Sequence, residues 1–347
     1  MKTKILKSSI YLLTVITLFI ACSDDDDDVI PLVARDRAEQ QIADKDSILN
    51  YLSTHYYNSG FLETGVNHKF TEIIITELQP GEELPDAHTL LIEDVEIHMA
   101  ENLEVDYEYY ILRLNQGEGP SPRFTDFVRV RYEGSSIGSE EVFDSSIAPF
   151  DQLLQGNGIT TSGAIKAWQL VMPEFNSSSN FTTNNGAVDF TDFGLGVMFV
   201  PSGLAYFSGT NTGSSYDNIV FKFELLQVEE LDHDNDGIPS YVEDLDMSLE
   251  VFDDDTDDNS FPDFIDIDDD GDEVLTINEL MPNAYTVNSE IGEEEPVLAT
   301  NEYEISRNEN AGIITINTVT IVDSNNDGTP DYLDETITIN YNEDEDS

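Results

Sequence analysis

The stretch "FVRVRYEG", residues 127–134, alternates apolar and polar side chains until it reaches a glycine. Partial period-2 alternation of this kind is typical of a β-strand with one buried face. The stretches "YEYYILRL" (107–114), "GVMFVPSG" (196–203) and "NIVFKFELLQV" (218–228) have the same strand composition. Within residues 107–229, only the stretch "GAIKAWQLVM" (163–172) predicts a helix. One helix among strands predicts an α+β fold, in which an antiparallel sheet wraps on a short helix.

The next stretch, "VFDSSIAPF" (142–150), raises a question about one carboxylate. Asp144 lies between Phe143 and two serines, with Pro149 and Phe150 close behind. Because the chain carries 72 Asp and Glu residues, Asp144 could be one more surface charge. The flanking aromatic residues raise a second interpretation, in which Asp144 is the polar point of an apolar pocket.

The overall composition excludes several functions. The 347 residues suggest about two domains. The chain has 14 Lys and Arg against 72 Asp and Glu, a net charge of -58. We therefore expect no nucleic-acid partner, since phosphate contacts need clustered basic residues, and no docking on anionic lipid. A chain this acidic either stays soluble through self-repulsion or holds many cations.

The N-terminus has the pattern of a secretory signal peptide. Lysines at positions 2, 4 and 7 precede an apolar run over residues 10–21. The run ends at Cys22, the single cysteine, where it resembles a bacterial lipoprotein lipobox with Phe19 in place of the more usual leucine. The resemblance implies cleavage before Cys22 and lipid on its amine and thiol. An uncleaved membrane anchor is the alternative, although the apolar run is short for a span.

The acid run "SDDDDD" (23–28) follows the cysteine directly. It resembles the export signals of surface lipoproteins in Bacteroidetes-type bacteria, and the alternative is a solvated spacer. Either way we expect an extracytoplasmic protein, lipid-anchored to the outer membrane on its periplasmic face or at the cell surface. The predicted organisation is a signal peptide (1–21), an acidic tether (22–43), a lead-in region (44–106), a β-rich domain (107–229) and an acidic repeat region (230–347).

Shorter patterns predict further local elements. The stretch 44–57 predicts a helix, 69–78 a strand, 89–100 a β-rich piece and 173–192 an exposed polar loop.

Six pieces of the region 107–229 carry a resemblance to a known family. In order they are "GEGPSPRFTDFVRVRYEG", "GSEEVFDSS", "PF", "AIKAW", "VPSGLAY" and "IVFKFELLQV". Their order and approximate spacing resemble an FKBP-type peptidyl-prolyl isomerase over roughly a third of the chain. The sequence departs from the family at Ala167 and Phe207, where glycine is usual, and in the insertion 173–192. The resemblance implies a pocket made by Tyr132, Phe143, Asp144, Phe150, Ile165, Trp168, Tyr206 and Phe221.

The chemistry of that reaction suits such a pocket. An X-Pro amide rotates slowly because conjugation gives its C–N bond partial double-bond character, with a barrier of about 18–20 kcal/mol. The twisted transition state has lost conjugation, so a dry apolar pocket favours it without a nucleophile or cofactor. The resemblance implies that Trp168 forms the floor and that the Ile165 N–H and Tyr206 hydroxyl hold substrate carbonyls. A half-buried Asp144 would orient the bound peptide. The expected partners are proline-containing polypeptide clients.

Three acidic segments align without gaps after residue 230: 232–243, 255–266 and 323–334. Each has Asp or Asn at positions 1, 3 and 5, proline at position 8 and a carboxylate at position 12. A fourth segment, 268–279, has the same acidic positions with Thr at position 9. Alternate oxygens on a tight loop converge as Ca²⁺ requires. The predicted ligands are Asp232, Asp234, Asp236, Glu243, Asp255, Asp257, Asn259, Asp266, Asp268, Asp270, Asp272, Thr276, Glu279, Asp323, Asn325, Asp327 and Asp334.

The fourth segment resembles an EF-hand loop and the other three resemble thrombospondin type 3 repeats. Ser260 and Glu273 stand at position 6, where glycine normally makes the turn. We therefore expect structural Ca²⁺ in this region, and the alternative is a disordered acidic tail. The stretches 311–322 and 335–341 predict strands that pair as a hairpin around the third site.

No motif for a hydrolase or a metalloprotease is present. The sequence has no G-x-S-x-G, no H-E-x-x-H and no phosphate loop, and its five histidines are scattered. The leading hypothesis is a lipid-anchored peptidyl-prolyl isomerase. The alternative is a non-catalytic peptide-binding or surface interaction lipoprotein with calcium-stabilised repeats, which the altered flanking loops favour.

Overall fold

The computed structural model of the protein describes residues 34–184 and 186–342. From Arg37 onwards, these residues belong to one compact unit. The predicted signal peptide, the lipidation residue Cys22 and most of the tether lie outside the described residues. Within the described part of the chain, no helix is both long enough and apolar enough to cross a membrane.

Strands outnumber helices throughout the described chain. The helices are α1 (Arg37–Thr54), α2 (Ser59–Leu62), α3 (Leu91–Asp94), α4 (Lys166–Val171) and α5 (Thr276–Glu279). Short 3₁₀ turns cover Phe70–Glu72, Met172–Glu174, Ser202–Leu204, Asp263–Ile265, Ser289–Ile291 and Asp331–Leu333. The strands are β1 (His55–Tyr57), β2 (Ile75–Glu77), β3 (Thr89–Leu90), β4 (Glu96–Asn102), β5 (Val105–Asn115), β6 (Phe127–Ser136), β7 (Val142–Leu153), β8 (Asn180–Asn184), β9 (Ala187–Thr191), β10 (Gly194–Val200), β11 (Ile219–Glu229), β12 (Met281–Asn288), β13 (Glu302–Asn310) and β14 (Ile313–Thr320).

Six strands form one antiparallel sheet in the order β4-β5-β10-β11-β6-β7. Strand β6 alternates buried and half-buried residues, as its sequence predicts. Strand β10 is buried along its whole length because elements cover both faces of the sheet. On one face lies α4, whose Trp168 and Val171 belong to the same apolar cluster as Val130 and Phe221 of the sheet. The predicted α+β class, with an antiparallel sheet and a short helix, is confirmed.

The other face of the sheet is covered by α1 and a small sheet, β2-β1-β3. Ile48 and Leu52 of α1 are fully buried and belong to the same apolar cluster as Phe199 of β10. The helix is also held by a buried polar contact, in which the Ser202 hydroxyl donates to Asp44 Oδ2 at 2.6 Å. Burial raises the pKa of Asp44, and the hydrogen bonds from Ser202 oppose that shift. The lead-in region is therefore part of the packed core.

Several predicted boundaries differ from the structure. The helix predicted over 44–57 starts earlier and ends at Thr54. The strand predicted over 69–78 is a 3₁₀ turn followed by the short β2, and α3 interrupts the β-rich piece 89–100. The loop predicted over 173–192 contains the hairpin β8–β9. The domain boundaries at 44–106, 107–229 and 230–347 stay predictions.

The acidic region contains a sheet of its own, with the order β12-β14-β13. The hairpin predicted between 311–322 and 335–341 is therefore wrong, because β14 pairs with β12 and β13 instead. Residues 335–341 form turns and irregular backbone rather than a strand. The Thr336 hydroxyl donates to Asp334 at 2.7 Å and the Ile337 N–H donates to the Asp334 carbonyl at 2.8 Å. These local bonds compete with a β-ladder.

The acidic region packs on the β-rich region through a small apolar cluster. Val251 and Phe264 are fully buried and belong to the same cluster as Phe124. Beside it, Lys166 Nζ lies 2.5 Å from Glu250 Oε1. These contacts place the acidic loops next to the helix that carries Trp168.

Candidate functional site

A cavity of about 180 Å³ opens between α4 and the sheet, and ten residues line it. Six of them belong to the set that the sequence predicts: Tyr132, Asp144, Ile165, Trp168, Tyr206 and Phe221. The lining also includes Val130, Gln152, Gly163 and Ala164, which the sequence analysis missed. Alternation along β6 could have found Val130, since it lies two residues before Tyr132 on the same face.

The floor of this pocket is Trp168, which is only 6% exposed. Its ring meets Tyr132 edge-on, with centroids 5.6 Å apart at 76°, and Phe221 at 5.2 Å and 65°. Edge-to-face packing suits the quadrupoles of aromatic rings and holds each ring in one orientation. The Ile165 carbonyl accepts a hydrogen bond of 2.9 Å from the backbone N–H of Trp168 at the start of α4. The floor is thus rigidly placed.

The two predicted residues outside the cavity lining, Phe143 and Phe150, flank it. The Phe143 ring contacts Phe221 edge-on at 5.6 Å, and the Phe150 ring contacts Tyr132 at 5.9 Å. Gly134 allows this packing, because a Cβ there would lie 2.9 Å from Phe143 Cζ and closer still to Phe221. Any larger residue at position 134 would displace these rings.

Asp144 lies at the mouth of the pocket and is exposed, so the expectation that it is half buried is wrong. The reason is its position on β7, the edge strand of the sheet, opposite Gly134. Its carboxylate accepts a hydrogen bond of 2.8 Å from the Tyr132 hydroxyl. Asp144 is therefore both a solvent-facing carboxylate and a polar group of the pocket.

Both tyrosines of the pocket stay protonated at neutral pH. Burial is the larger cause that raises the pKa of Tyr132, and the hydrogen bond to Asp144 adds to it. Burial, then the charge of Asp144, raises the pKa of Tyr206. The pocket thus presents hydroxyl donors around an apolar floor.

Phe207 occupies a backbone conformation that favours glycine. Its φ is 46°, in the left-handed region that costs an L-residue about 1–2 kcal/mol. The ring packs edge-on with Tyr216 at 5.0 Å, and the Arg37 guanidinium lies 4.1 Å from its centroid. These contacts hold the turn that carries Tyr206.

The four acidic segments fold as similar loops. In each, the backbone N–H of position 2 donates to the side chain of position 9: His233 to Ser240 (3.1 Å), Thr256 to Asp263 (2.8 Å), Asp269 to Thr276 (3.3 Å) and Ser324 to Asp331 (2.7 Å). The Thr276 hydroxyl, predicted as a ligand, accepts this bond.

Two loops gather three carboxylates each. In the first segment Asp232, Asp234 and Asp236 offer oxygens that lie within 4.8 Å of one another. In the fourth segment Asp268, Asp270 and Asp272 do the same. The closing carboxylates of these two loops, Glu243 and Glu279, are 0% and 1% exposed, and none of their four side-chain oxygens has a hydrogen-bond partner.

In the other two loops an asparagine amide joins the predicted ligands. Asn259 Nδ2 donates to Asp257 at 2.9 Å and to Asp266 at 2.7 Å. Asn325 Nδ2 donates to Asp327 and Asp334, both at 3.0 Å. Position 1 of each loop, Asp255 or Asp323, accepts backbone N–H groups of its own loop.

Position 6 has a positive φ in each of the four loops. Glycine occupies it in two, with φ of 102° at Gly237 and 104° at Gly328. Ser260 and Glu273 adopt the same region at 79° and 80°. These two substitutions therefore keep the turn at a conformational cost.

A further loop of this type escaped the sequence analysis. Asp244, Asp246 and Asp254 offer oxygens within 4.8 Å of one another. The Leu249 N–H donates to Asp244 Oδ2 at 3.0 Å, as the Gly237 N–H does to Asp232 at 2.9 Å. The signal was the D-x-D-x-S spacing from position 244, which lacks the glycine found at position 6 of two other loops and the proline found at position 8 of three.

Burial dominates the electrostatics of these loops. Burial is the largest cause, and the neighbouring carboxylates add to it. Together they raise the pKa of Asp234 and the pKa of Glu279 to about 9 each. Ionised carboxylates this close repel one another, so keeping them charged requires a cation.

Only part of the chain matches a known protein family. A family described as "BamM C-terminal" matches residues 233–309, which include most of the first acidic segment and all of the second and fourth. The match spans less than a quarter of the chain. No curated protein matches the chain.

Several solved structures are similar to part of this chain. A peptidyl-prolyl cis-trans isomerase from Pseudomonas syringae has 16% identity and a TM-score of 0.31, covering 57% of this chain and 99% of that one. FkpA from Escherichia coli has 23% identity and a TM-score of 0.27, covering 35% of this chain. The alignment spans about half (48%) of that protein. A multi-domain immunophilin from Arabidopsis thaliana has 12% identity and a TM-score of 0.27, covering 35% and 43% of the two chains. Similarity at this level does not assign a function.

Proposed function

We propose that the chain is a peptidyl-prolyl cis–trans isomerase that acts on X-Pro bonds of polypeptide clients. The observation that carries the proposal is the pocket itself. Trp168 forms a buried floor, Tyr132 and Phe221 meet it edge-on, and Asp144 holds the Tyr132 hydroxyl at the mouth. The cavity of about 180 Å³ is small, as suits a single proline ring and its amide.

The residues of the pocket favour the twisted amide in two ways. The aromatic floor and walls exclude water from the X-Pro amide, which removes solvation that favours the polar planar state. The Tyr206 hydroxyl is a donor for a substrate carbonyl, and Asp144 accepts from a peptide N–H at the open rim. Binding the ends of the peptide while the central bond rotates lowers the barrier without covalent chemistry.

A protease-coupled assay of the full chain with a proline peptide tests this function. The wild type should accelerate isomerisation, and Tyr206→Phe should lower kcat/KM by about 2- to 12-fold, the worth of one neutral hydrogen bond. Wild-type protein that binds the peptide without accelerating isomerisation would favour a non-catalytic peptide-binding protein. The observation in favour of that second function is the bulky Phe207, which has a positive φ in the turn beside Tyr206.

We propose further that lipid on Cys22 anchors the protein to the outer membrane. The support is the signal pattern that ends at the only cysteine. Membrane fractionation of wild type and Cys22→Ser tests this, and an unchanged distribution of a normally cleaved Cys22→Ser protein would contradict it.

We also propose that the acidic loops bind structural Ca²⁺. Buried carboxylate oxygens without partners, such as those of Glu243 and Glu279, fit a hard cation that takes six to eight oxygen ligands. Bound Ca²⁺ would neutralise each cluster, and Mg²⁺ fits less well because it keeps several waters.

Calorimetric titration of chelator-treated full-length protein tests the cation. We expect several Ca²⁺ to bind and protease resistance of the acidic region to rise far more with Ca²⁺ than with equal Mg²⁺. Absence of heat at millimolar Ca²⁺ would show that the loops are solvated acids only.

A further inference from the structure

Three carboxylates from two different acidic segments meet in the interior of the acidic region. Asp236 and Glu243 belong to the first segment, and Asp269 belongs to the fourth. Their oxygens lie within 4.8 Å of one another, and the residues are 2%, 0% and 1% exposed. Asp269 stands at position 2 of its own loop, outside the alternating positions that hold a cation within one loop. The spacing pattern therefore does not assign it a role.

Five of the six carboxylate oxygens of this cluster lack partners. Both side-chain oxygens of Glu243, both of Asp269 and one of Asp236 are buried without a hydrogen bond. None of the ion pairs within residues 34–184 and 186–342 involves these three carboxylates. A buried charge without a partner is costly, and here three of the same sign converge. The arrangement points to a ligand of positive charge.

We propose that Asp236, Glu243 and Asp269 hold one Ca²⁺ ion between the first and fourth segments, with Asp269 as a ligand from outside the loop. The inference rests on the proposed cation binding and adds a ligand and a connection to it. The three residues supply five partnerless oxygens, two each from Glu243 and Asp269 and one from Asp236. An all-carboxylate shell suits Ca²⁺, whereas soft metals prefer sulfur or imidazole ligands.

Such an ion would tie together distant parts of the chain. Between Glu243 and Asp269 run residues 244–268, which carry Val251 and Phe264. Both side chains pack in the cluster that includes Phe124 of the β-rich region. The ion would therefore hold together the two ends of the segment that packs the acidic region beside the pocket.

Calorimetry on the chelator-treated full chain, with Ca²⁺ alone as the probe, tests the proposal. Asp269→Asn should reduce the number of bound Ca²⁺ by one or weaken one site at least about tenfold, since ligand charge tunes affinity. Glu273→Gln is the matched control, because it removes the same charge from an exposed position of the same loop. It should bind like the wild type.

The outcomes separate this proposal from the one it rests on. Wild type and Asp269→Asn that bind equally would overturn the role of Asp269 while leaving the loops as Ca²⁺ sites. A wild type that binds no Ca²⁺ would overturn both.

A second measurement uses a residue that is not a ligand, in case Asp269→Asn does not fold. Tyr332 is buried in the apolar cluster that contains Ile238 and Val242, which lie within two residues of Asp236 and Glu243 in the sequence. Tb³⁺ that replaces Ca²⁺ should be sensitised by this ring, so Tyr332→Phe should lower the emission and excess Ca²⁺ should quench it. Emission that Tyr332→Phe leaves unchanged would contradict an ion at this cluster.

Discussion

Replacing Asp144 with valine should lower kcat/KM for X-Pro isomerisation by about 5- to 150-fold. The carboxylate accepts the Tyr132 hydroxyl at 2.8 Å and lies at the mouth of the cavity. Valine removes both the orienting contact to the peptide and the partner of Tyr132, worth roughly 1–3 kcal/mol. Because Asp144 is exposed, the free energy of unfolding should change little. The protease-coupled assay and urea denaturation measure the two quantities.

A neighbouring carboxylate provides the control for this variant. Glu141 is exposed just before β7, outside the cavity lining, so Glu141→Val should leave kcat/KM unchanged. Tyr132→Phe separates the two roles of Asp144, since it removes the hydroxyl and keeps the carboxylate. Full activity of Asp144→Val would mean that "VFDSS" is only an edge strand with a surface acid.

Replacing Trp168 with alanine should lower the free energy of unfolding by about 3–5 kcal/mol. The ring is 6% exposed and packs edge-on with Tyr132 and Phe221, so its removal leaves a cavity beside these two rings. The proposed isomerase activity should also fall strongly, because water would enter the proposed site of the proline ring. Urea denaturation followed by circular dichroism measures the stability.

Trp168→Phe is the matched variant, since it keeps an aromatic ring on α4. It should lose less stability than Trp168→Ala because part of the packing remains. Equal stability of wild type and Trp168→Ala would show that the floor is not packed, and the proposed pocket would fail with it.

Local patterns in the sequence were enough to predict four strands of the six-stranded sheet, β5, β6, β10 and β11. The pocket residues were predicted from the resemblance to a known family, and six of them line the cavity. Alternation along "FVRVRYEG" predicts which side of β6 faces the core, and Tyr132 is on that side. The short apolar run around Trp168 predicts the helix that carries this residue, α4. The acidic loops are equally local, since a hydrogen bond between residues seven apart in the sequence spans each one. Properties of this kind depend on neighbours in sequence, which a single sequence displays.

Contacts between distant segments were decided by the tertiary structure alone. The exposure of Asp144 follows from β7 being the edge strand, which depends on the order of six strands. The two partners of β14, in place of the predicted hairpin, depend on pairing with strands before it in the chain. Asp269 reaches Glu243 only because two loops pack together. Such contacts depend on which apolar faces bury each other, and the spacing within any one segment carries no record of that choice.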